Sequence, residues 1–175
     1  IARQRQSSPT ETYLQGDICQ TLPFEDNTFD AIRCDRVLHH VQNPLDAIKE
    51  FKRVLKPTGK IIFSEPDFSM WQCYPMPPEA VAHIANEFTH AACHPRIGIQ
   101  LPQYLTQIGY SVLEARLYGI GISSYQKLDQ FFTIEKILTT QMSDATEAIK
   151  QAQSADQEGS FISVFPQFSV LAAIT

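Results

Sequence analysis

Apolar positions along the 175-residue chain fall into three kinds of spacing. Between Asn43 and Lys56, the residues Leu45, Ile48, Phe51 and Leu55 recur at helical intervals. That is the stripe an amphipathic helix buries, and Lys49, Lys52, Arg53 and Lys56 fall mostly off it, on a solvated face. Asn43 is placed to cap this helix. Pro44 fits its first position, and Asp46 falls at the third, where a carboxylate suits the free N–H groups and the helix dipole. Pro57 and Gly59 are set to stop it. Ile61, Ile62 and Phe63 form an unbroken apolar run, the pattern of a central strand covered on both faces, as in parallel sheets. Phe29 to Cys34 predicts the strand before the helix. Val112 to Tyr118 alternates apolar with other residues and predicts a strand nearer the sheet edge.

The remaining elements are read in the same way. Residues 1–8 read as the tail of a helix broken at Pro9, so the chain is expected to start partway through an α/β unit. Thr12 to Leu14 is a short extended segment, and Thr21 to Thr28 a polar loop around Leu22 and Phe24. Helices are predicted over Glu79–Ala92 and Gln100–Ile108, the second closed by Gly109. A further helix, Lys127–Met142, carries Leu128, Phe131, Phe132, Glu135, Leu138 and Met142 on one side. The next starts near Asp144 with Glu147 as a capping partner, buries small residues, and stops at Gly159. Phe161 to Ile174 is strand-like, but Pro166 interrupts it, so Phe168–Ile174 is the expected strand. Strand–helix–strand order of this kind predicts an α/β sheet that is mostly parallel, with ligands at the carboxyl ends of its strands. Three polar clusters fall there: Gly16-Asp17, Cys34-Asp35-Arg36 and Glu65-Pro66-Asp67.

Composition narrows the partners. With 43% apolar residues the chain can bury a real core, and its length suits one domain. A net charge of −5 and a pI near 5.5 argue against a nucleic-acid partner. No apolar run reaches the length of a membrane span, and the first residues lack a signal-peptide core, so a cytoplasmic setting is expected. The four cysteines show no CxxC pair, and reduced thiols are expected. His83, His90 and His94 with Cys93 fit no closed zinc spacing, so no metal is expected.

The run GDICQTLPFEDNTFDAIRCDRVLHHV, followed by LDAIKEFKRVLKPTGKIIFSEPDF, resembles the post-glycine half of class I S-adenosylmethionine-dependent methyltransferases. The small-molecule type, which includes ubiquinone/menaquinone C-methyltransferases, is the most similar. The resemblance is strong over Thr12–Phe68, weaker through IGIQLPQYLTQIGYSVLEARLY and the last strand, and absent over Met70–His94. It implies a Rossmann-like sheet whose last strand is antiparallel, incomplete at its N-terminal side. Residues 1–175 would then form a single methyltransferase domain, with 66–98 a lid or substrate-side insertion and 119–158 a helical insertion before the last strand. It implies transfer of a methyl group from S-adenosylmethionine to a small-molecule acceptor in a closed cleft, leaving S-adenosylhomocysteine. The family's Gly-rich loop and ribose-binding acid are expected upstream of residue 1, since the chain has seven glycines and no GxGxG.

Residue by residue, the resemblance puts Asp17 on the adenine amino group and the backbone of Ile18 on the ring. It puts Cys34 beside the methionine part, with Asp35 and Arg36 next to it. A carboxylate accepts from the adenine amino donor while a backbone N–H meets a ring acceptor, so the residue types suit the roles. Glu65 and His39 are the candidate catalytic residues. Glu65, at the end of the apolar strand, is expected to face the cleft and could take a proton from a nucleophile. His39 and His40, as neighbours on one turn, are expected to point apart, and packing competes with any catalytic part. Asp67, Phe68, Trp71 and Tyr74 are the candidate acceptor-binding residues, their aromatic members serving equally well as core or lid. The alternative is a non-catalytic methyltransferase-like module, a homodimer or scaffold partner working through its two C-terminal helices. The sheet edge left by absent N-terminal strands would then be a hazard for aggregation or domain exchange.

Overall fold

A computed structural model describes residues 10–175; the helix tail read over residues 1–8 lies outside them. In chain order the elements are β1 (Phe29–Asp35), α1 (Pro44–Val54), β2 (Leu55–Pro66), β3 (Gln72–Tyr74), α2 (Pro78–Ala91) and α3 (Ile97–Ile108). They continue with β4 (Tyr110–Ile122), α4 (Tyr125–Phe132), α5 (Ile134–Gln141), α6 (Ala145–Glu158) and β5 (Ile162–Ile174). Short 3-10 turns cover Leu38–His40 and Phe68–Met70. Thr12–Leu14 belongs to no strand. No helix among the described residues is long and apolar enough to cross a membrane.

The helix predicted after Asn43 forms at Pro44, but Asn43 does not cap it. Its side-chain amide donates instead to Asp46 Oδ2 at 2.5 Å. Pro44, Ala47, Ile48, Phe51 and Val54 are buried. Lys52 is not purely solvated: its Nζ donates to the carbonyls of Ile108 and Gly109 at 2.7 and 2.9 Å, where the end of α3 leaves acceptors unpaired. The helix predicted over Lys127–Met142 is two helices. Thr133 takes a left-handed φ of 52°, and Asp129 stitches the break by accepting from the Glu135 N–H at 2.8 Å.

β1 and β2 pair in parallel, whereas β2, β3 and β4 each run antiparallel to β5, so β5 alone is reversed. β5 is one strand through Pro166, contrary to the predicted interruption, and the pairing explains why. On one side β5 pairs with β2 from Gln167 onward and with β3 up to Val164. Pro166 sits in the gap between these two partners, where no ladder N–H is required, and its carbonyl accepts from Asp67 at 3.2 Å. β4 flanks the whole other side of β5, an edge strand longer than predicted.

Two apolar cores meet on β5. One packs α1 and α3 (Ile48, Phe51, Leu101, Leu105) on Ile61, Phe63, Val170 and Ala172. The other gathers Trp71, Phe88, Leu128, Leu138, Ala152 and Phe165 from α2, the C-terminal helices and the first half of β5. α3 reaches the sheet through Gly98, where a Cβ would stand 2.5 Å from the Glu65 carbonyl oxygen and 2.9 Å from that of Pro66. Both obstacles are backbone. Gly98→Ala is therefore expected to push α3 off β2 and to cost about 1–3 kcal/mol, as overpacking does. Urea denaturation checks this, and an unchanged midpoint would refute the close approach.

Candidate active site

The carboxyl end of β1 turns sharply. Arg36 adopts a left-handed φ of 55°, unusual for a residue with a Cβ, while its N–H donates to the Ser64 carbonyl at 2.8 Å. This reversal carries Val37 and the Leu38–His40 turn over the end of β2. There the Glu65 carboxylate, with no solvent exposure, closes the turn from beneath. Oε1 accepts from the backbone N–H groups of Val37 and Leu38, both at 2.8 Å, and Oε2 lies 2.8 Å from His39 Nδ1. A buried carboxylate is tolerated only when it is so supplied with donors. Cys34 packs beside it, its Sγ 3.9 Å from Oε1, and burial together with the nearby carboxylate pushes the thiol up to about 12.

A cleft of about 520 Å³ opens along this rim. Its polar lining is Asp35, Arg36, His39 and His40, with Gln167 from β5; its apolar lining is chiefly Phe68, Phe131, Phe132 and Phe165. Phe132 stacks on Phe165 with ring centres 4.8 Å apart, and Phe68 stands edge-on to His39 at 5.4 Å. The Gln167 amide donates to Ser64 Oγ at 3.1 Å, and that hydroxyl lies 2.8 Å from Tyr118 Oη. The His39 and His40 rings do not diverge: their centres are 3.8 Å apart. Burial, then the neighbouring His39, holds the pKa of His40 below the usual imidazole range, against an upward pull from Glu65.

The loop carrying Asp17 lies outside this lining and leans on the start of α1. Ile18, Cys19 and Leu22 pack on the sheet–α1 core, and Cys19 Sγ is 3.6 Å from the Asn43 carbonyl. Glu50 accepts from the Leu22 N–H at 2.7 Å, and Arg53 ties in the Phe24 carbonyl and Asp26 at 2.9 and 2.7 Å. Asp17 itself is exposed, its carboxylate accepting from the Cys19 N–H at 2.9 Å and from the Gln20 amide at 3.1 Å. Asp35 is clasped by Arg33 at 2.7 Å and by Arg36 at 3.1 Å.

The structure thus brings Glu65 and His39 together, and Asp35 and Arg36 with them, but it revises the orientation expected of several residues. Glu65 and Asp67 do not face the cleft, since both are fully buried. Asp67 caps the turn after β2, accepting from the N–H and hydroxyl of Ser69 at 3.0 and 2.5 Å. Trp71 is also wholly buried, its indole N–H donating to Ser163 Oγ at 2.8 Å. Tyr74 lies on short β3, 68% exposed, and outside the cleft lining. Of the four acceptor-side candidates, Phe68 alone lines the cleft. Phe131, Phe132, Phe165 and Gln167 were missed. A signal for two of them was present: adjacent phenylalanines on a helix point about 100° apart, so Phe131-Phe132 could not both serve one core, and Phe131 is 75% exposed.

A family model described as a methyltransferase domain matches residues 1–63. The demethylmenaquinone methyltransferase of Renibacterium salmoninarum is 41% identical over 63 residues, 34% of this chain and 26% of that protein. The ubiquinone/menaquinone biosynthesis C-methyltransferase of Idiomarina loihiensis is 33% identical over 92 residues, 46% of this chain and 36% of that protein. The chain thus spans about a third or less of the length of these relatives. A crystal structure of a candidate methyltransferase from Bacillus halodurans C-125 has the same fold, with a TM-score of 0.57 at 18% identity, covering 93% of this chain and 76% of that one. Over residues 1–63 the chain is thus similar in sequence to methyltransferase domains, and its fold is that of the Bacillus halodurans structure.

Proposed function

We propose that the protein transfers a methyl group from S-adenosylmethionine to a small, largely apolar acceptor. One observation carries this reading: the Asp35-Arg36 rim, where the family holds the methionine end of its cofactor, shares one cleft with four phenylalanine rings. Segments 66–98 and 119–158 supply three of those rings, which suits their expected place on the acceptor side.

The residues present fit the cofactor. Asp17 offers an exposed carboxylate with lone pairs to spare for the adenine amino group, and the Ile18 backbone sits beside it on a loop braced by α1. Arg36, on the cleft lining, offers the remaining donors of its guanidinium to the carboxylate of the methionine end. When bound, the cofactor supplies an electrophilic methyl on a sulfonium, so the chain's own part is alignment and exclusion of water.

Calorimetric titration with S-adenosylmethionine and S-adenosylhomocysteine tests the reading. The expected result is binding of both ligands, weakened about tenfold or more in Asp17→Ala, the worth of one hydrogen bond to a charged group. No binding to the full-length protein would sink the reading, and an Asp17→Ala protein that binds as well as the parent would remove Asp17 from the adenine site. The non-catalytic reading has one observation in its favour, the exposed Leu113, Leu117 and Ile120 on edge strand β4; a stable dimer that binds neither ligand would favour it.

A further inference from the structure

We infer that His39 is the base that takes a proton from the acceptor, that Glu65 is the residue that positions it, and that the acceptor is an apolar molecule giving up an O–H proton. This rests on the methyl-transfer reading and adds to it a proton route.

Glu65 is saturated with hydrogen-bonding partners. Its two oxygens receive two backbone N–H groups and face His39 Nδ1, and it is sealed from the cleft, so it cannot meet the acceptor itself. A carboxylate only accepts, hence Nδ1 must carry a proton, and a neutral imidazole protonated there leaves Nε2 as its lone-pair nitrogen. Phe68 stands edge-on to the ring and His40 lies against it, while the backbone carbonyl of His39 accepts from the His94 N–H at 3.1 Å. His39 lines the cleft although only 4% exposed.

The rival bases are weaker. Asp35, the one carboxylate in the lining, is clasped by Arg33 and Arg36. His40 has no carboxylate fixing its tautomer among the described contacts. The charged or titratable groups around His39 are therefore Glu65 from β2, Asp35 and Arg36 from the end of β1, and His40 and His94. A cationic amine would find Asp35 already neutralised and an aromatic wall opposite, whereas a flat molecule with a hydroxyl meets rings and one lone pair. The step balances. The acceptor's O–H bond breaks and its proton moves to Nε2, an O–CH3 bond forms, and the S–CH3 bond breaks with its electron pair returning to sulfur. The resulting imidazolium rests against Glu65.

The test needs no methyl donor, so its failure is separable from failure of cofactor binding. 2-Naphthol is titrated into the full-length protein and its naphtholate absorbance followed with pH, with 2-methoxynaphthalene as a probe that has no proton. The expected result is that both probes bind, that bound naphthol ionises at a pH about one unit lower, and that nitrogen-15 NMR finds His39 protonated at Nδ1. In Glu65→Gln the amide must donate to Nδ1, which reverses the tautomer. That variant should lose the naphthol shift about tenfold in equilibrium constant while still binding 2-methoxynaphthalene. His39→Gln should do the same, which keeps the test open if Glu65→Gln folds poorly. A parent protein with the proton on Nε2, a naphthol shift that survives His39→Gln, or one lost in His40→Gln but kept in His39→Gln would each overturn the assignment.

Discussion

Glu65→Ala is expected to lower the free energy of unfolding by about 3–5 kcal/mol, the range for removing one partner from a buried ionic cluster. The loss is large because Glu65 serves three groups at once. Its removal leaves the N–H groups of Val37 and Leu38 and the Nδ1 proton of His39 with no acceptor, and each orphaned buried donor carries its own desolvation cost. The void left beside Cys34 adds to this. Glu65→Gln should lose much less, since an amide oxygen can still accept from both backbone groups. Urea denaturation followed by circular dichroism separates the two variants. A Glu65→Ala protein within about 1 kcal/mol of the parent would mean that the turn after β1 does not depend on this carboxylate.

Trp71→Ala is expected to cost about 3–5 kcal/mol as well, by a different route. Trp71 has no exposed surface and packs against Phe88 and Phe165 at ring separations of 5.5 and 6.0 Å. Truncation empties the middle of the second core and strands the Ser163 hydroxyl on β5. Trp71→Phe should recover most of the packing but not the hydrogen bond, and so lose about 1–3 kcal/mol. Thermal unfolding with calorimetry reads both. The contrast with Phe131→Ala is informative: that ring is 75% exposed on the cleft, so its loss should weaken probe binding with little effect on stability. If Trp71→Ala melted with the parent and only acceptor binding fell, Trp71 would return to the pocket wall where its sequence context had put it.

Much of this architecture was legible because local signals agreed with the fold. Pro44 and Asp46 marked the start of α1, and Gly109 and Gly159 marked helix ends, each now in a left-handed conformation. The Ile61–Phe63 run marked a central strand paired on both edges, but not one covered on both faces, since Ile62 is 38% exposed. Pro166 misled because a proline argues against ladder pairing only where the ladder needs its N–H, and the switch of β5 from β2 to β3 is set by residues a hundred positions away. Thr133 gave no warning of a helix break, since its cost is met by Asp129. At the site, the motif drew attention to the strand ends, and Asp35, Arg36, His39 and Phe68 do line the cleft. The burial of Glu65 and Asp67 was not legible: alternation does not say which side of a turn a carboxylate closes. Nor was the reach of Phe165 and Gln167, which depends on β5 lying reversed against β2 and β4.

β5 joins what the rest of the chain leaves apart. Val170 and Ala172 belong to one core and Phe165 to the other, and three strands rely on β5 for their ladders. It is also the latest of the described elements to leave a ribosome. Neither core can close before it arrives, so during synthesis the earlier helices and strands wait with their apolar faces uncovered. High sequence separation of this kind slows folding, and a chain with uncovered apolar faces is prone to aggregate until one strand, supplied late, zips both halves together.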